Sequence, residues 1–449
     1  MNKDKKTENV RLLAIDAFER IEHQGMYSNL VLDEILRNHQ LNVADRHLLT
    51  EFVYGVLQRK LTLDYYLDYF LKNKKIESWV RQNLRVAIYQ SIYLDRIPPH
   101  AIVSEAVEIA KRKGHRGIAS LVNGVLRNIQ RRGYPSLDQI EPLAKRLSVT
   151  YSLPEWLIEM SIQRLGVDST VELAKSLNER PRTSVRVNLK QISREEAIKQ
   201  LQDENIHAHK SLVSPYGLII DQGQVQYSHL FAKGYLTIQD ESSMLVAPAL
   251  NVQPSDQVLD ACSAPGGKAT HIASEFLGSE AGGHLTALDL YPNKIKKIME
   301  NAKRQNVNDR ITVQQMDALQ IPEQLGEQKF DRILVDAPCS GLGLMRRKPE
   351  IRYNKHPEDL QSLQKLQLEI LSAASSALKP AGELIYSTCT FTQEENQEVV
   401  RQFLASQPHF RQIALDLPTM SLNADQKSLT IYPHDYGTDG FFISRFVRE

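Results

Sequence analysis

The segment Val258–Thr270, with the sequence VLDACSAPGGKAT, decides the fold of this 449-residue chain. Its apolar start is typical of a buried strand, and Pro265-Gly266-Gly267 is typical of a tight turn that leads into a helix. A strand–turn–helix unit of this kind directs backbone N–H groups and a helix N-terminus towards a bound ligand. The segment therefore predicts a ligand site at the edge of an α/β sheet.

Downstream of this segment, apolar strands and amphipathic helices alternate to the end of the chain. The predicted strands are Gln257–Ala261, His284–Leu288, Ile311–Gln314, Arg332–Val335, Glu383–Tyr386 and Gly440–Arg445. The predicted helices are Lys268–Phe276, Asn293–Gln305, Asp359–Leu378 and Gln393–Gln402. This alternation predicts a Rossmann-like, doubly wound α/β domain with a mostly parallel sheet over residues 241–449.

An aspartate lies at the end of each of the first four strands of this domain: Asp260, Asp289, Asp317 and Asp336. The carboxyl ends of parallel strands form the ligand-binding edge of such a sheet, so we expect these acids to lie along it. Asp289 stands 22 residues after Gly267, about where an acidic residue binds ribose hydroxyls in nucleotide-binding units. The spacing therefore predicts a ribose-bearing cofactor.

The glycine spacing narrows the choice of cofactor. The dinucleotide fingerprint G-x-G-x-x-G is not met, because Gly266 and Gly267 stand alone, and this argues against an NAD oxidoreductase. A phosphate-binding P-loop needs glycine and Ser or Thr where this chain has Cys262 and Ala269. A cofactor with a ribose and no phosphate fits better, and S-adenosylmethionine is the common one.

The first third of the chain has a different character. From residue 8 to about 132, apolar residues recur at helical spacing, which predicts an all-α helical bundle over residues 1–140. Residues 145–240 mix a helix at Tyr151–Leu177, a strand at Ser184–Asn188 and a helix capped by Ser193, which predicts a small α+β linker domain.

Charge is divided unevenly between these regions. Residues 1–150 hold 24 Lys and Arg against 17 Asp and Glu, whereas the rest of the chain holds 31 against 37. The basic residues include the cluster Lys111, Arg112, Lys113 and Arg116, which we call the basic arm. A basic region joined to an acidic one is typical of a nucleic-acid-binding module on a catalytic body, although a solvated helix face also explains it.

The chain has no apolar run of 18 residues and no secretory signal pattern at its start, so we expect a cytoplasmic protein without membrane contact. Its three cysteines have no CxxC or His/Cys spacing, which favours neither disulfides nor a zinc site. We expect a monomer that holds no metal.

All three cysteines follow predicted strand ends, and two of them form a pattern. Cys339 lies in DAPCSG (336–341) and Cys389 in YSTCT (386–390). If their two strands are neighbours, both thiols face one cleft. A lone cysteine is usually a small buried hydrophobe, but two at adjacent strand ends favour thiolate chemistry. A thiolate that adds to carbon 6 of an unstacked cytosine activates carbon 5 towards a methyl donor, and a carboxyl group such as Asp336 can bind the base.

These motifs resemble those of the RNA 5-methylcytosine methyltransferases of the Sun/RsmB group. The matching segments are ACSAPGGK (261–268), DAPCSG (336–341), STCT (387–390) and DGFF (439–442). The N-terminal segments EAVEIAK (105–111) and VNGVLR (122–127) resemble the helical RNA-binding domain of NusB. The resemblance covers essentially the whole chain and implies an RRM-like linker domain between the two.

The resemblance implies roles that spacing alone does not give. Cys389 would be the nucleophile, Cys339 would assist release of the methylated product, and Asp336 would act beside them. The implied contacts with S-adenosylmethionine are Cys262, Ser263, Ala264, Pro265, Gly266, Gly267, Lys268, Asp289, Asp317 and Asp336. Relatives with a NusB-like arm methylate the small-subunit (16S) ribosomal RNA, free or partly assembled. The one departure is Ala269, where many relatives carry Thr.

Two alternatives stay open at this point. The same chemistry can act on tRNA or on 23S rRNA. A protein of a different class, a non-catalytic NusB-like RNA-binding transcription factor, would share the N-terminal domain, but it would not need both cysteines and the complete cofactor turn.

Overall fold

A computed structural model describes residues 9–72, 74–278, 280–417, 419–420, 422–423 and 425–449. The chain forms two compact units. One ends at Glu179 and takes in the later segment Met345–Asn354, and we call it the helical unit. The other comprises Arg180–Leu344 and Lys355–Glu449, and we call it the sheet unit.

The helical unit confirms the all-α prediction for the N-terminal region. Its helices are α1 Val10–Gln24, α2 Ser28–Asn38, α3 Val43–Gln58, α4 Lys60–Leu71, α5 Ser78–Tyr93, α6 Pro99–Lys113, α7 Arg116–Arg132, α8 Leu143–Tyr151 and α9 Glu155–Ser176. Their apolar faces share one core, to which α7 contributes Ala119, Val122, Val125, Leu126 and Ile129 at helical spacing.

The helix predicted at Tyr151–Leu177 begins later, at Glu155. Ser152 ends α8 in the left-handed conformation, with φ +55°, and Pro154 precedes the first turn of α9. A proline disfavours helical geometry in the residue before it, so the break between α8 and α9 falls where the sequence places Pro154.

The segment Met345–Asn354 belongs to the helical unit and contacts it through the side chains of Glu350, Arg352 and Tyr353, whose hydroxyl donates to the Leu57 carbonyl at 2.8 Å. The guanidinium of Arg352 is fully buried and donates to the carbonyls of Gln58, Tyr151, Ser152 and Leu177, which lie at the C-terminal ends of α3, α8 and α9. The carboxylate of Glu350 accepts from the backbone N–H and the hydroxyl of Ser28, at the start of α2. These contacts satisfy backbone groups that helix ends leave unpaired.

The first part of the sheet unit is a small four-stranded antiparallel sheet with the order β2-β3-β1-β4. Its elements are β1 Thr183–Val187, α10 Arg194–Asp203, β2 His207–Lys210, β3 Gly217–Gln222, α11 His229–Ala232 and β4 Leu236–Ile238. Ser193 caps α10 by accepting from the N–H of Glu196, 3.1 Å away, at the predicted start. The small α+β domain is therefore present, whereas the bounds 1–140, 145–240 and 241–449 for the three domains stay a prediction.

The second part of the sheet unit confirms the doubly wound α/β fold. Its strands are β5 Gln257–Asp260, β6 His284–Asp289, β7 Ile311–Gln315, β8 Phe330–Asp336, β9 Leu378–Thr388, β10 Phe410–Gln412, β11 Ser428–Ile431 and β12 Phe441–Arg448. Its helices are α12 Glu241–Met244, α13 Val246–Ala249, α14 Gly267–Glu275, α15 Pro292–Arg304, α16 Ile321–Gln324, α17 Pro357–Ser376, α18 Gln397–Ser406 and α19 Pro433–Tyr436.

The large sheet has the order β10-β12-β9-β8-β5-β6-β7, with β11 paired to β12. Strands β5 to β9 are parallel, and β12 joins them antiparallel to β9. Neighbouring residues of β5 enter the cores on opposite faces, Val258 on one and Leu259 on the other. Burial on both faces explains why these strands are continuous apolar runs. No helix in the described part of the chain is both long and apolar enough to cross a membrane.

Candidate active site

The turn after β5 is shaped by glycine. Gly266 has φ +95°, and a Cβ at this position would lie 3.2 Å from the Cα of Ile298, so the turn requires glycine. The helix α14 then begins at Gly267. Arg186 of β1, which is buried, donates to the Gly267 carbonyl at 2.5 Å and to the side chain of Gln239. Burial lowers the pKa of Arg186 to about 9.

Asp336, Asp260 and Asp289 are the last residues of the neighbouring parallel strands β8, β5 and β6, and Asp317 lies two residues beyond the end of β7, the next strand in the sheet. The Asp289 carboxylate accepts from the N–H groups of Ala264 at 3.3 Å and Tyr291 at 3.2 Å. Asp317 accepts from the N–H of Leu319 at 3.0 Å. The strand ends thus form one edge with a row of carboxylates.

Asp260 is the least satisfied of these acids. It is 1% exposed, and neither of its carboxyl oxygens makes a hydrogen bond of good geometry. Burial, with the nearby charge of Asp336, raises the pKa of Asp260 to about 7. The hydroxyl of Ser263, in the turn that follows, is close enough to Asp260 to lower this pKa in part, but it too makes no hydrogen bond of good geometry with the described residues. Buried polar atoms without partners are rare in proteins, and they are expected where a ligand supplies the missing contacts.

The two cysteines of the DAPC and STCT motifs are brought together. Their strands, β8 and β9, are parallel neighbours in which Asp336 pairs with Ser387. Each thiol lies a few residues beyond this pair, and Cys339 Sγ is 3.1 Å from Cys389 Sγ. Both residues are partly exposed. The hydrogen bond with Cys389, followed by burial, raises the pKa of Cys339 well above its usual value, so Cys339 keeps its proton.

Asp336 is held on both sides. Lys268 Nζ lies 2.7 Å from its Oδ2, and the hydroxyl of Ser387 donates to its Oδ1 at 2.8 Å. The Lys268 ammonium also lies over the ring of Phe441, 5.1 Å from the centroid. The turn Cys262–Lys268 (the cofactor turn), the end of β8 and the C-terminal DGFF motif therefore meet at this ion pair.

Cys262 does not join the other two cysteines. Its side chain packs against the core on one face of the large sheet. Burial, together with the charges of Asp260, Asp336 and Asp289, raises the pKa of its thiol well above the usual value. A thiol in such surroundings is unreactive.

Sequence reasoning missed the residue that links the two cysteine loops, Glu395. Its carboxylate accepts from the N–H of Ser340 at 2.7 Å, the hydroxyl of Ser340 at 2.6 Å and the hydroxyl of Thr392 at 2.8 Å. Gln367 donates to it at 3.1 Å. The predicted helix Gln393–Gln402 hid this role, because α18 begins only at Gln397 and Glu395 precedes it. The signal available in the sequence was an acidic residue close to the start of the predicted helix and six residues after Cys389.

A backbone chain also connects these loops. Gly343 donates to the carbonyl of Cys389 at 3.0 Å, and Gly440 donates to the carbonyl of Gly343 at 3.0 Å. A Cβ on Gly343 would lie 2.0 Å from the Gly440 carbonyl oxygen. The close approach of three backbones therefore excludes any side chain at position 343.

The basic arm lies at the end of α6 and the start of α7, and its four residues are exposed. Lys111 pairs with Glu108 at 2.6 Å and Lys113 with Asp16 at 3.1 Å. A surface depression beside it is lined by Val107, Lys111, Arg116, Ala119, Ser120 and Asn123. In the part of the chain that the structure describes, no group of three His, Cys, Asp or Glu side chains is arranged to hold a metal ion.

Comparison with known families matches three parts of the chain. Residues 247–447 match the 16S rRNA methyltransferase RsmB/F family, residues 8–131 the NusB family, and residues 153–226 the ferredoxin-like domain of RsmF/B-like methyltransferases.

Full-length relatives agree with these matches. The probable ribosomal RNA small subunit methyltransferase B of Bacillus subtilis is 42% identical over 98% of each chain. The corresponding protein of Synechocystis is 32% identical over 98% of this chain and 99% of its own. The crystal structure of PH0851 superimposes with a TM-score of 0.82 at 26% identity, covering 99% of this chain and 100% of that one. The chain therefore belongs to the ribosomal RNA small subunit methyltransferase B family, within the RsmB/F methyltransferases.

Proposed function

We propose that this protein transfers a methyl group from S-adenosylmethionine to carbon 5 of a cytosine in the 16S rRNA of the small ribosomal subunit. The observation that carries the proposal is the pair of thiols of Cys339 and Cys389, 3.1 Å apart and beside the Lys268–Asp336 ion pair. A methyltransferase that acts on an oxygen or an amine has no use for two adjacent thiols, whereas carbon 5 of cytosine needs a nucleophile added to the ring.

The residues at the carboxyl edge of the large sheet fit S-adenosylmethionine. Asp289 is oriented by two backbone N–H groups and suits the ribose hydroxyls, and Asp317, just beyond the end of the next strand, β7, is proposed to lie near the adenine. The unpartnered Asp260 and Ser263 offer polar atoms to the same ligand. The turn from Cys262 to Lys268 supplies the N-terminus of α14. When bound, the cofactor supplies an electrophilic methyl group on a sulfonium.

Cys389 is proposed as the nucleophile, and its contact with the Cys339 thiol supports this. The raised pKa of Cys339 keeps a proton on that sulfur, where it can donate to Cys389 Sγ. The Cys389 sulfur, as the thiolate, then forms a bond to carbon 6 of the cytosine, and the π pair of the C5–C6 bond moves to carbon 5, which uses it to take the methyl group. After methylation the carbon-5 proton leaves to a base, its electron pair forms the C5–C6 double bond, and the C6–S bond breaks with its pair returning to Cys389 sulfur. Cys339 assists this release by hydrogen-bonding the departing thiolate.

Asp336 is proposed to bind the edge of the cytosine. Lys268 and Ser387 fix its carboxylate in one orientation, so no reorganisation is needed when charge develops on the ring. The target base must be out of its stack to reach these groups. The basic arm of the helical unit is proposed to bind the RNA backbone. The protein is proposed to act as a monomer in the cytoplasm.

The test is the methylation state of ribosomal RNA. We expect one 5-methylcytosine in 16S rRNA to disappear when the gene is deleted and to return with the intact gene but not with a Cys389→Ala version. Unchanged 16S rRNA, with the loss of a 5-methylcytosine from tRNA or from 23S rRNA instead, would contradict the proposed substrate. No change in any RNA would contradict the activity.

A further inference from the structure

The carboxylate of Glu395 lies at the point where the two cysteine loops meet. It is completely buried, and four donors surround its two oxygens. No lysine or arginine side chain among the described residues makes an ion pair with it. A buried carboxylate without a cation is costly, and it is tolerated only where its hydrogen bonds are complete.

Glu395 binds the two loops unequally. On the DAPC loop it holds both the N–H and the hydroxyl of Ser340, the residue next to Cys339. On the STCT loop it holds only the hydroxyl of Thr392, three residues beyond Cys389. Ser340 also contacts the Thr390 hydroxyl at 3.1 Å, and Gln367 donates to the Pro338 carbonyl at 2.9 Å. The Cys339 loop nevertheless makes two hydrogen bonds to Glu395, whereas the Cys389 loop makes one.

The Cys389 loop has supports of its own. Thr388 donates to the side chain of Asn396 at 2.6 Å, and Asn396 donates to the carbonyl of Thr390 at 3.1 Å. Thr388 also pairs with Phe442 of β12. None of these contacts involves the Glu395 side chain, so we expect its removal to disturb the Cys339 loop, which loses two hydrogen bonds, more than the Cys389 loop, which loses one.

We propose that Glu395 is the positioning residue that holds Cys339 against Cys389 for product release. The inference rests on the proposed function, in which Cys389 attacks and Cys339 assists elimination. Glu395 does not contact the reacting atoms, and it acts through Ser340. Its loss therefore impairs elimination of Cys389 more than attack by Cys389.

The experiment compares variants of the full-length protein incubated with a 16S rRNA transcript and S-adenosylmethionine. For Glu395→Ala we expect a first round of methylation close to one per enzyme, a steady-state kcat at least about tenfold lower, and a covalent RNA–protein band on a denaturing gel. Glu395→Gln should recover much of the turnover, because an amide can accept from the Ser340 N–H and donate to the two hydroxyls.

Two further variants test the contacts of Glu395 with each cysteine loop separately, and a third serves as the control. Ser340→Ala should trap the covalent band as Glu395→Ala does, whereas Thr392→Val should trap much less. Glu398→Gln is the matched control, since Glu398 is three residues away and pairs only with surface groups, Arg401 and Gln402. It should behave as the wild type.

The outcomes distinguish the inference from the proposed function. In one outcome the wild type is active, while Glu395→Ala and Ser340→Ala lose first-round methylation and steady-state turnover in equal proportion and trap no RNA. That result would overturn the inference and leave the proposed function standing. A wild type that makes no 5-methylcytosine would overturn the proposed function, and the inference with it.

Discussion

Lys268 and Asp336 form an ion pair, with 2.7 Å between Nζ and Oδ2, that joins the first turn of α14 to the end of β8. The side chains are 13% and 24% exposed, so water screens the pair only in part. The cofactor turn and the proposed base-binding carboxylate are thereby fixed to one another.

Asp336→Asn should lower the methylation rate by about 10- to 100-fold, because a charge-assisted hydrogen bond contributes about 1.5–3 kcal/mol. The control is Asp331→Asn, at the other end of β8, where Asp331 pairs with Lys379 at 2.8 Å. Single-turnover methylation of the folded variants measures both. Equal rates for the two variants would contradict a role for Asp336 in the reaction.

Asp289→Ala should weaken the binding of S-adenosylmethionine by at least about 1.5–3 kcal/mol while the fold persists, because a charge-assisted hydrogen bond with a ribose hydroxyl contributes about that much. Titration calorimetry measures the affinity, and thermal unfolding checks the fold. Asp309→Ala, at an exposed site on the same unit, should bind the cofactor like the wild type. An unchanged affinity in Asp289→Ala would reject the ribose assignment.

The two cysteines should fail in different ways. Cys389→Ala cannot form the bond to carbon 6, so it should lose essentially all methyl transfer and form no adduct. Cys339→Ala should attack and methylate once and then stall, leaving protein attached to RNA. A denaturing gel with substrate RNA and S-adenosylmethionine separates the cases. A trapped band with Cys389→Ala alone would reverse the roles, and no band with either would remove support for the covalent mechanism.

Replacing Lys111, Arg112, Lys113 and Arg116 with alanine should weaken RNA binding and flatten its salt dependence. Each phosphate contact adds roughly 0.7–0.9 to the slope of log affinity against log salt. Cofactor binding should not change. The control replaces Lys199 and Lys365, exposed cations of the sheet unit, and should leave the slope as it is. If the basic-arm variant shows the wild-type dependence of RNA affinity on salt, the arm is a solvated surface that does not bind RNA.

Asp260 should make stability depend on pH. Its folded-state pKa of about 7 lies above the usual 3.8. Between these two pH values the folded protein therefore holds a proton on Asp260 that the unfolded chain has released. This stabilisation is full below about pH 4 and is lost as the pH rises through 7, at no more than about 1.4 kcal/mol per pH unit. Denaturant unfolding from pH 4 to 8 should show a flatter profile for Asp260→Asn than for the wild type. Parallel profiles would contradict the raised pKa.

The parts of the fold that sequence predicted best are those with a strong apolar pattern. The five parallel strands are buried on both faces, and their predicted bounds lie within a few residues of the observed ones, except for β9, which extends from Leu378 to Thr388. The strand β2, with the sequence HAHK, is polar and mostly exposed, so no alternation revealed it. The edge strands β10 and β11 are only three and four residues long, too short to show a period.

In the candidate site, spacing along the chain located the aspartates, the cofactor turn and both cysteines. The contacts between these residues depend on which strands are neighbours in the sheet. The sequence left the pairing of β8 with β9 as a condition, and the structure shows that they pair. Arg186 escaped notice because its side-chain partners Gln239 and Gln305 are 53 and 119 residues away, and Glu395 because its main partner, Ser340, is 55 residues away; such distant contacts leave no periodic signal.

The segment Met345–Asn354 has a consequence for dividing the protein. A fragment that stops at Glu179 keeps all nine helices described for the helical unit but lacks Arg352, and the carbonyls at the ends of α3, α8 and α9 then have no common donor. Cutting the chain after Glu179 is therefore expected to destabilise these three helix ends, although residues 8–131 match a family in their own right. A stand-alone version needs the ten-residue piece grafted back, or new side chains at those three helix ends.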